Sequence, residues 1–193
     1  MLFLASQSPR RHQLLAQLGL AFQALDVQVP EERGPQEKAL DYVSRVAREK
    51  AAAGLARAPV GAVVLGADTE VVLDDIVFGK PADAGEAAAM LARLQGRGHA
   101  VLSVVWCLAD GRQEAAVSRS EVRFAPMDED AIAGYVATGE WQGKAGGYAI
   151  QGRAAAFVEH LSGSYSGVMG LPLFETAQLL RRFGVFAPSK EPA

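Results

Sequence analysis

The chain has 193 residues, of which 50% are hydrophobic and 21% charged, with a net charge of −3. This balance predicts one globular domain with a sizeable core, and the small negative charge excludes a general electrostatic attraction to nucleic acid or an anionic membrane. The single cysteine, Cys107, excludes an intramolecular disulfide, and no apolar run approaches the roughly 18 residues of a membrane span.

The first half of the chain alternates between strand and helix patterns. We predict strands at Leu2–Ala5 and Phe22–Val29, a helix from Pro9 that ends at Gly19 and has Ser8 as its cap, and a longer helix from about Gln36 to Ala53. Lys50 falls on the apolar stripe of the longer helix, so its ammonium group must snorkel outward or reach into a cleft. The apolar run Val63–Ala67 predicts a strand that is buried on both faces and ends at Asp68.

The second half predicts antiparallel hairpins followed by shorter elements. The elements are a hairpin of Val71–Leu73 and Ile76–Phe78, a helix at Ala84–Leu94, strands at His99–Leu108 and Glu114–Phe124, a helix capped by Asp128 that ends at Ala137, a strand at Phe157–Leu161, and a last helix from Pro172 to about Arg182. This order predicts an α/β fold with a mixed twisted β-sheet flanked by helices, in two lobes around a central cleft. We expect residues 1–186 to form one domain and the polar residues 187–193 to form a flexible tail.

The segment Ser6–Arg11 has the features of an anion site. A strand leads into a helix N-terminus, whose free N–H groups and dipole favour an anion. Arg10 and Arg11 lie in the first turn, where arginine is unfavourable beside the positive end of the helix dipole unless an anion binds. The alternative is a solvated helix start with two surface arginines.

Asp68 and Thr69 follow a buried strand, at the edge of a sheet where ligands bind in α/β proteins. An aspartate there can act as a magnesium ligand or a general base, or simply cap a turn. Lys80 lies between glycine and proline, which suits a fixed positive charge on phosphate as well as an ordinary turn. Gln151 follows the glycine-rich stretch that begins at Lys144, and its amide can both donate to and accept from a base edge. We expect His99 to be structural.

Six segments in this order resemble the motifs of the Maf family of nucleotide pyrophosphatases, the septum formation proteins. They are LASQSPRRHQLLAQLGL, YVSRVAREKA, GADTEVVLDD, GKPADAGEAAAMLARLQGRGH, KAGGYAIQG and GSYSGVMGLPL, and they extend from about Leu2 to Leu180. The resemblance implies an inosine-triphosphatase-like fold, usually dimeric, that hydrolyses nucleoside triphosphates to a monophosphate and pyrophosphate with Mg or Mn as a divalent metal cation. From the net charge and the lack of a signal-peptide pattern or membrane span, we expect a cytoplasmic enzyme without a nucleic-acid or membrane partner.

The resemblance also assigns roles to residues. Asp68 would be the proton acceptor and, with Glu31, would hold the metal, while Lys80 and Glu31 would complete the catalytic set. Ser8, Arg10 and Lys50 would bind the phosphates. Arg11, Thr69 and Gln151 match the branch of the family that acts on dTTP and UTP. The alternatives are a pyrophosphatase for modified purine nucleotides such as 7-methyl-GTP, and a nucleotide-binding regulator of cell division.

Three positions depart from the family pattern. Gly143 stands where an acid usually precedes KAG, and Glu31-Glu32 stands where many members have Asp-Glu. Glu70 stands where an apolar residue is usual, so it either faces solvent or adds a metal ligand.

Overall fold

The structure is a computed structural model that describes residues 1–186. The strands are β1 (Leu2–Ala5), β2 (Phe22–Leu25), β3 (Val63–Leu73), β4 (Ile76–Phe78), β5 (Gly98–Ala109), β6 (Arg112–Phe124) and β7 (Val158–Ser162). The helices are α1 (Pro9–Ala16), α2 (Ala39–Leu55), α3 (Ala84–Leu94), α4 (Glu129–Val136), α5 (Tyr165–Met169) and α6 (Leu173–Arg182). The tail expected at 187–193 lies outside the described residues.

The seven strands form one mixed sheet in the order β2-β1-β3-β5-β6-β7, with β4 paired to β3. β1 is parallel to both β2 and β3, whereas every other pairing is antiparallel. The predicted α/β fold with a mixed sheet is confirmed. In residues 1–186, no helix is long and apolar enough to cross a bilayer.

Several predicted boundaries are wrong for identifiable reasons. The strand expected to end at Asp68 continues to Leu73, because β5 keeps pairing with it as far as Val72. β2 stops at Leu25 rather than Val29, since its partner β1 offers only four residues to pair with. α1 ends at Ala16, and the last predicted residues form tight turns up to Gly19, which has a φ of +68°. The short helix α5 was not predicted.

A break in the pairing of β3 creates the central cleft. On the side away from β5, β1 pairs with Val63–Gly66 and β4 pairs with Val71–Leu73. Residues 67–70 of β3 lie between the segments that pair with β1 and β4, and neither β1 nor β4 pairs with them. Separate apolar cores flank the break, one around Leu4 and Leu65 and the other around Phe78 and Phe124. The predicted pair of lobes around a cleft corresponds to these two cores.

α2 packs directly against β3 and carries Lys50 to the cleft. A Cβ added to Gly66 would lie 2.8 Å from the Cβ of Ala51 and closer still to backbone atoms of α2. At Gly54, an added Cβ would lie 2.8 Å from the Cβ of Ala5. The two glycines therefore allow the backbones to approach closely, which sets the distance between α2 and the middle of β3.

Candidate active site

A cleft of about 700 Å³ lies at the break in the sheet. Its walls come from the loop after β1, the middle of β3, and the glycine-rich loop before β7. It contains all nine residues proposed from the sequence: Ser8, Arg10, Arg11, Glu31, Lys50, Asp68, Thr69, Lys80 and Gln151. Residues separated by as many as 143 positions thus line one cavity.

The centre of the cleft holds a carboxylate cluster, which consists of Glu31, Asp68, Lys50 and Lys80. Lys50 Nζ lies 2.8 Å from Asp68 Oδ1 and 2.6 Å from Glu31 Oε1. Lys80 Nζ lies 2.5 Å from Glu31 Oε2. Burial alone would raise the pKa of Glu31, but the hydrogen bonds from the two lysines outweigh it and lower the pKa to about 2. Lys50 therefore reaches into the cleft, one of the two options that its position on the apolar stripe allowed.

Asp68 presents one carboxylate oxygen without a partner. Its side chain is only 6% exposed, and Oδ2 makes no hydrogen bond within residues 1–186. An unsatisfied buried carboxylate oxygen is costly unless a ligand or water pairs with it. Because Lys50 holds Oδ1, Oδ2 is the oxygen that can accept a proton or bind a cation.

Glu70 lies two residues after Asp68 on the same face of β3. It is 5% exposed, so the expectation that it might face solvent is wrong. Burial, followed by the negative charge of Asp68, raises the pKa of Glu70 to about 8. The pKa shift of Glu70 therefore favours its protonated form at neutral pH.

The donor set of the carboxylate cluster fits a divalent cation. Asp68 Oδ2 has no protein partner, and each Glu31 oxygen keeps a second lone pair beside its lysine. The described residues contain no group of three potential His, Cys, Asp or Glu ligands. Mg²⁺ typically binds through one or two carboxylates together with substrate phosphates, so two carboxylates are enough.

The loop between β1 and α1 has the predicted form, with one difference. Ser8 occupies the capping position of α1, but its side chain makes no capping hydrogen bond. The first N–H groups of the helix therefore remain available to a ligand. Arg10 Nη2 donates to the carbonyl of Gly143 at 3.4 Å, and burial, then the charge of Arg11, lowers the pKa of Arg10.

Arg11 and Thr69 meet on the face of the sheet away from Asp68. Arg11 Nε donates to the carbonyl of Gly170 at 2.8 Å, and its Nη2 lies 3.5 Å from Thr69 Oγ1. Thr69 Oγ1 is also 2.8 Å from Ser103 Oγ. These contacts hold both side chains in place at the cleft wall.

Gln151 projects from a braced loop. Glu140 accepts a hydrogen bond from the backbone N–H of Arg153 at 2.7 Å, and a Cβ added to Gly152 would collide with the Glu140 carboxylate. Gly146 N–H donates to the carbonyl of Gly79 at 3.1 Å, which joins this loop to the segment that carries Lys80. Gln151 itself is exposed and makes no side-chain hydrogen bond to the described part of the chain.

Sequence reasoning missed one residue that lines the cleft and expected a nearby histidine to be structural. Lys144 lines the cleft beside Gly143, although the sequence analysis assigned it no role; its signal was a basic residue at the start of a glycine-rich loop. His99 is buried behind the cleft with Nε2 2.8 Å from the Tyr148 hydroxyl, and burial lowers its pKa to about 4. This arrangement supports the structural role expected of His99.

Comparison with known proteins identifies similar chains. The family model described as Maf-like protein matches residues 1–183. A protein named dTTP/UTP pyrophosphatase from Xanthomonas campestris pv. campestris is 56% identical over 188 residues, which cover 95% of this chain and 99% of that protein. A protein named nucleoside triphosphate pyrophosphatase from Xylella fastidiosa (strain 9a5c) is 58% identical over 186 residues, with 95% and 98% covered.

Solved structures with some similarity were also found. The nucleoside-triphosphatase (dITP/XTP pyrophosphatase) of Mycobacterium abscessus matches with a TM-score of 0.45 and 19% identity, over 65% of this chain and 74% of that one. The Staphylococcus aureus Ham1 protein matches with a TM-score of 0.44 and 12% identity, over 64% and 71%.

Proposed function

The chain belongs to the Maf family, and on this premise we propose that it is a nucleoside-triphosphate pyrophosphatase that hydrolyses dTTP and UTP to the monophosphate and pyrophosphate. Both similar proteins described above carry names of pyrophosphatases, and one of them names dTTP and UTP. The observation that carries the proposal is the buried, unpartnered Oδ2 of Asp68 in a cleft that also contains Arg10, Arg11 and Lys80.

In the proposed reaction, Asp68 acts as the general base. Oδ2 takes a proton from a water molecule, whose oxygen attacks the α-phosphorus. The bond from that phosphorus to the α–β bridging oxygen breaks, and the electron pair leaves with pyrophosphate. Lys50 fixes the orientation of Asp68 through the 2.8 Å contact to Oδ1, which leaves Oδ2 without a hydrogen-bond partner in the described residues.

Positive side chains offset the charge that develops on the phosphates. Arg10 can form forked hydrogen bonds to phosphate oxygens, and the free N–H groups at the start of α1 add to the same attraction. Lys80 is held by Glu31 and adjoins the stiff Gly79–Pro81 backbone, so it provides a positioned positive charge. A divalent cation held by Asp68 and Glu31 would supply further neutralisation of the phosphate oxygens when bound.

We assign base selection to Gln151, with Arg11 and Thr69 as the fixed wall beside it. Uracil and thymine present O4, N3–H and O2, an acceptor–donor–acceptor pattern that one amide can match at two positions. Cytosine replaces the O4 acceptor with a donor and lacks the N3 proton. A site built for one pattern rejects the other because its own polar groups would be left unpaired.

The experiment is pyrophosphate release from UTP, dTTP, CTP, GTP and 7-methyl-GTP, measured for wild type, Gln151→Ala and Gln23→Ala. Gln23 is exposed on β2 outside the cleft and serves as the matched control. We expect wild type and control to prefer UTP and dTTP. In Gln151→Ala, the ratio of kcat/KM for UTP and dTTP to kcat/KM for the other nucleotides should fall by a larger factor than turnover on the best substrate. Preference for 7-methyl-GTP would support the purine alternative, and release from no nucleotide would support a regulator. If all rates of Gln151→Ala fall together, Gln151 is only a brace.

We also propose that residues 1–186 form one domain, that the protein is cytoplasmic, and that it is a homodimer, as the resemblance implies. The long strands β3 and β5 contribute to the apolar cores on both sides of the cleft, which supports a single domain. Sedimentation equilibrium of the full chain measures the assembly directly.

A further inference from the structure

The charges in the cleft are unevenly distributed. In the carboxylate cluster, both lysines pair with acids. Arg10, Arg11 and Lys144 form a second group, which we call the cationic cluster. Within residues 1–186, none of these three side chains has a carboxylate within ion-pair distance. Three cations that line one cavity, and that make no ion pair in the described residues, form a site for an anion with several charges.

Lys144 and Arg10 are coupled although they are far apart in sequence. Arg10 donates to the carbonyl of Gly143, which directly precedes Lys144. Burial, followed by the charge of Arg10, lowers the pKa of Lys144. Lys144 Nζ donates to the carbonyl of Gln142 at 2.8 Å, which leaves two of its three N–H donors for a ligand.

Glu140 is the acid whose charge acts on Lys144, but its carboxylate is already hydrogen-bonded elsewhere. Glu140 acts on Lys144 only through its charge, since it forms no ion pair with Lys144. Its carboxylate instead accepts the backbone N–H of Arg153 at 2.7 Å. The electrostatic repulsion between Arg10 and Lys144 is therefore not offset by Glu140, and a bound anion can offset it.

We propose that Lys144, together with Arg10, forms the subsite that binds the leaving pyrophosphate. The inference deepens the proposed function and rests on it. Pyrophosphate carries more charge than a nucleoside monophosphate, so it gains most from the cationic cluster. Lys144 contributes hydrogen bonds to the β- and γ-phosphate oxygens of the bound triphosphate and retains them as the α–β bond breaks.

The test is isothermal titration of the full chain with inorganic pyrophosphate and, separately, with UMP. The variants are Lys144→Gln and Lys144→Ala, and Lys38→Gln is the matched control at a lysine outside the cleft. We expect both site variants to weaken pyrophosphate binding about tenfold or more, in line with the loss of a charge-assisted hydrogen bond, and to leave UMP within about twofold. Lys38→Gln should bind both ligands as wild type does. Circular dichroism of each variant reports whether the fold is kept.

Unchanged pyrophosphate affinity in folded Lys144→Gln overturns the inference, and so does an equal loss for UMP and pyrophosphate. If only Lys144→Gln misfolds, Lys144→Ala decides on the same two criteria. Pyrophosphate release from UTP by wild type is measured in parallel. Absence of that release contradicts the proposed function, whereas normal release combined with unchanged binding in the variants contradicts only the role of Lys144.

Discussion

Glu70→Gln should make the protein more stable at neutral and alkaline pH. Glu70 is buried beside Asp68, and its Oε2 makes no hydrogen bond within the described residues. Glutamine keeps the shape of the protonated glutamate but cannot ionise. The substitution therefore removes the free-energy cost of ionising a carboxyl group in this environment.

The magnitude follows from the pKa of Glu70, which is about 8 in the folded protein and ordinarily 4.5. Between these values the folded protein binds more protons than the unfolded chain, so stability falls as pH rises from 4.5 to 8 and then levels off. The cost reaches ~3 kcal/mol at pH 7 and stays below ~1 kcal/mol at pH 5. For a chain of this length, Glu70→Gln should raise the Tm by roughly 6–12 °C at pH 7.

The assay is thermal unfolding of wild type and Glu70→Gln from pH 5 to pH 9, in EDTA so that no cation changes the local charge. Glu121→Gln, at an exposed position of β6, is the control and should show no such pH dependence. The stabilisation should be smallest at pH 5 and grow with pH. A Glu70→Gln protein that is less stable than wild type at pH 8 would show that ionised Glu70 is favourably paired, and would refute the reasoning.

Three further predictions concern packing and the site. Gly66→Ala should destabilise the protein by ~1–3 kcal/mol in urea unfolding, because its Cβ would collide with the backbone of α2. The control Gly134→Ala lies on α4 with open space around the added Cβ, so it should be neutral or stabilising. Equal effects of the two substitutions would contradict the packing argument. Asp68→Asn should lower kcat ~10²–10⁴-fold with the fold retained, and near-normal turnover would exclude Asp68 as the base. Arg10→Ala and Lys80→Ala should each weaken binding more for UTP than for UMP and least for uridine, and equal losses would mean that neither residue contacts phosphate.

Local patterns predicted the elements well, but strand ends depended on partners. The helix at Ala84–Leu94 was predicted with its observed bounds, because the spacing of its apolar residues is a local signal. The end of β3 was wrong, since the chain around Asp68 carries no sign that β5 will pair with it. Lys50 was identified because a lysine on the apolar face of a helix is unusual, whichever element that face packs against.

The candidate site was predictable as a set of residues but not as an arrangement of charges. The motif order indicated nine residues, and all of them line the cleft. The protonated state of Glu70 depends on how α2 covers β3, and this covering depends on Gly66. The closeness of Arg10 to Lys144 depends on the fold of two loops that are more than a hundred residues apart. Such long-range proximity leaves no signal in either segment alone.

The most direct test of the central claim is hydrolysis of UTP by the wild-type protein in ¹⁸O-labelled water, with the products resolved by mass spectrometry. Attack on the α-phosphorus predicts UMP and pyrophosphate, with one ¹⁸O atom in UMP and none in pyrophosphate. Label in pyrophosphate would place the attack on the β-phosphorus, and formation of UDP and phosphate would mean that a different bond is cut. Either result, or no hydrolysis of UTP, would contradict the account.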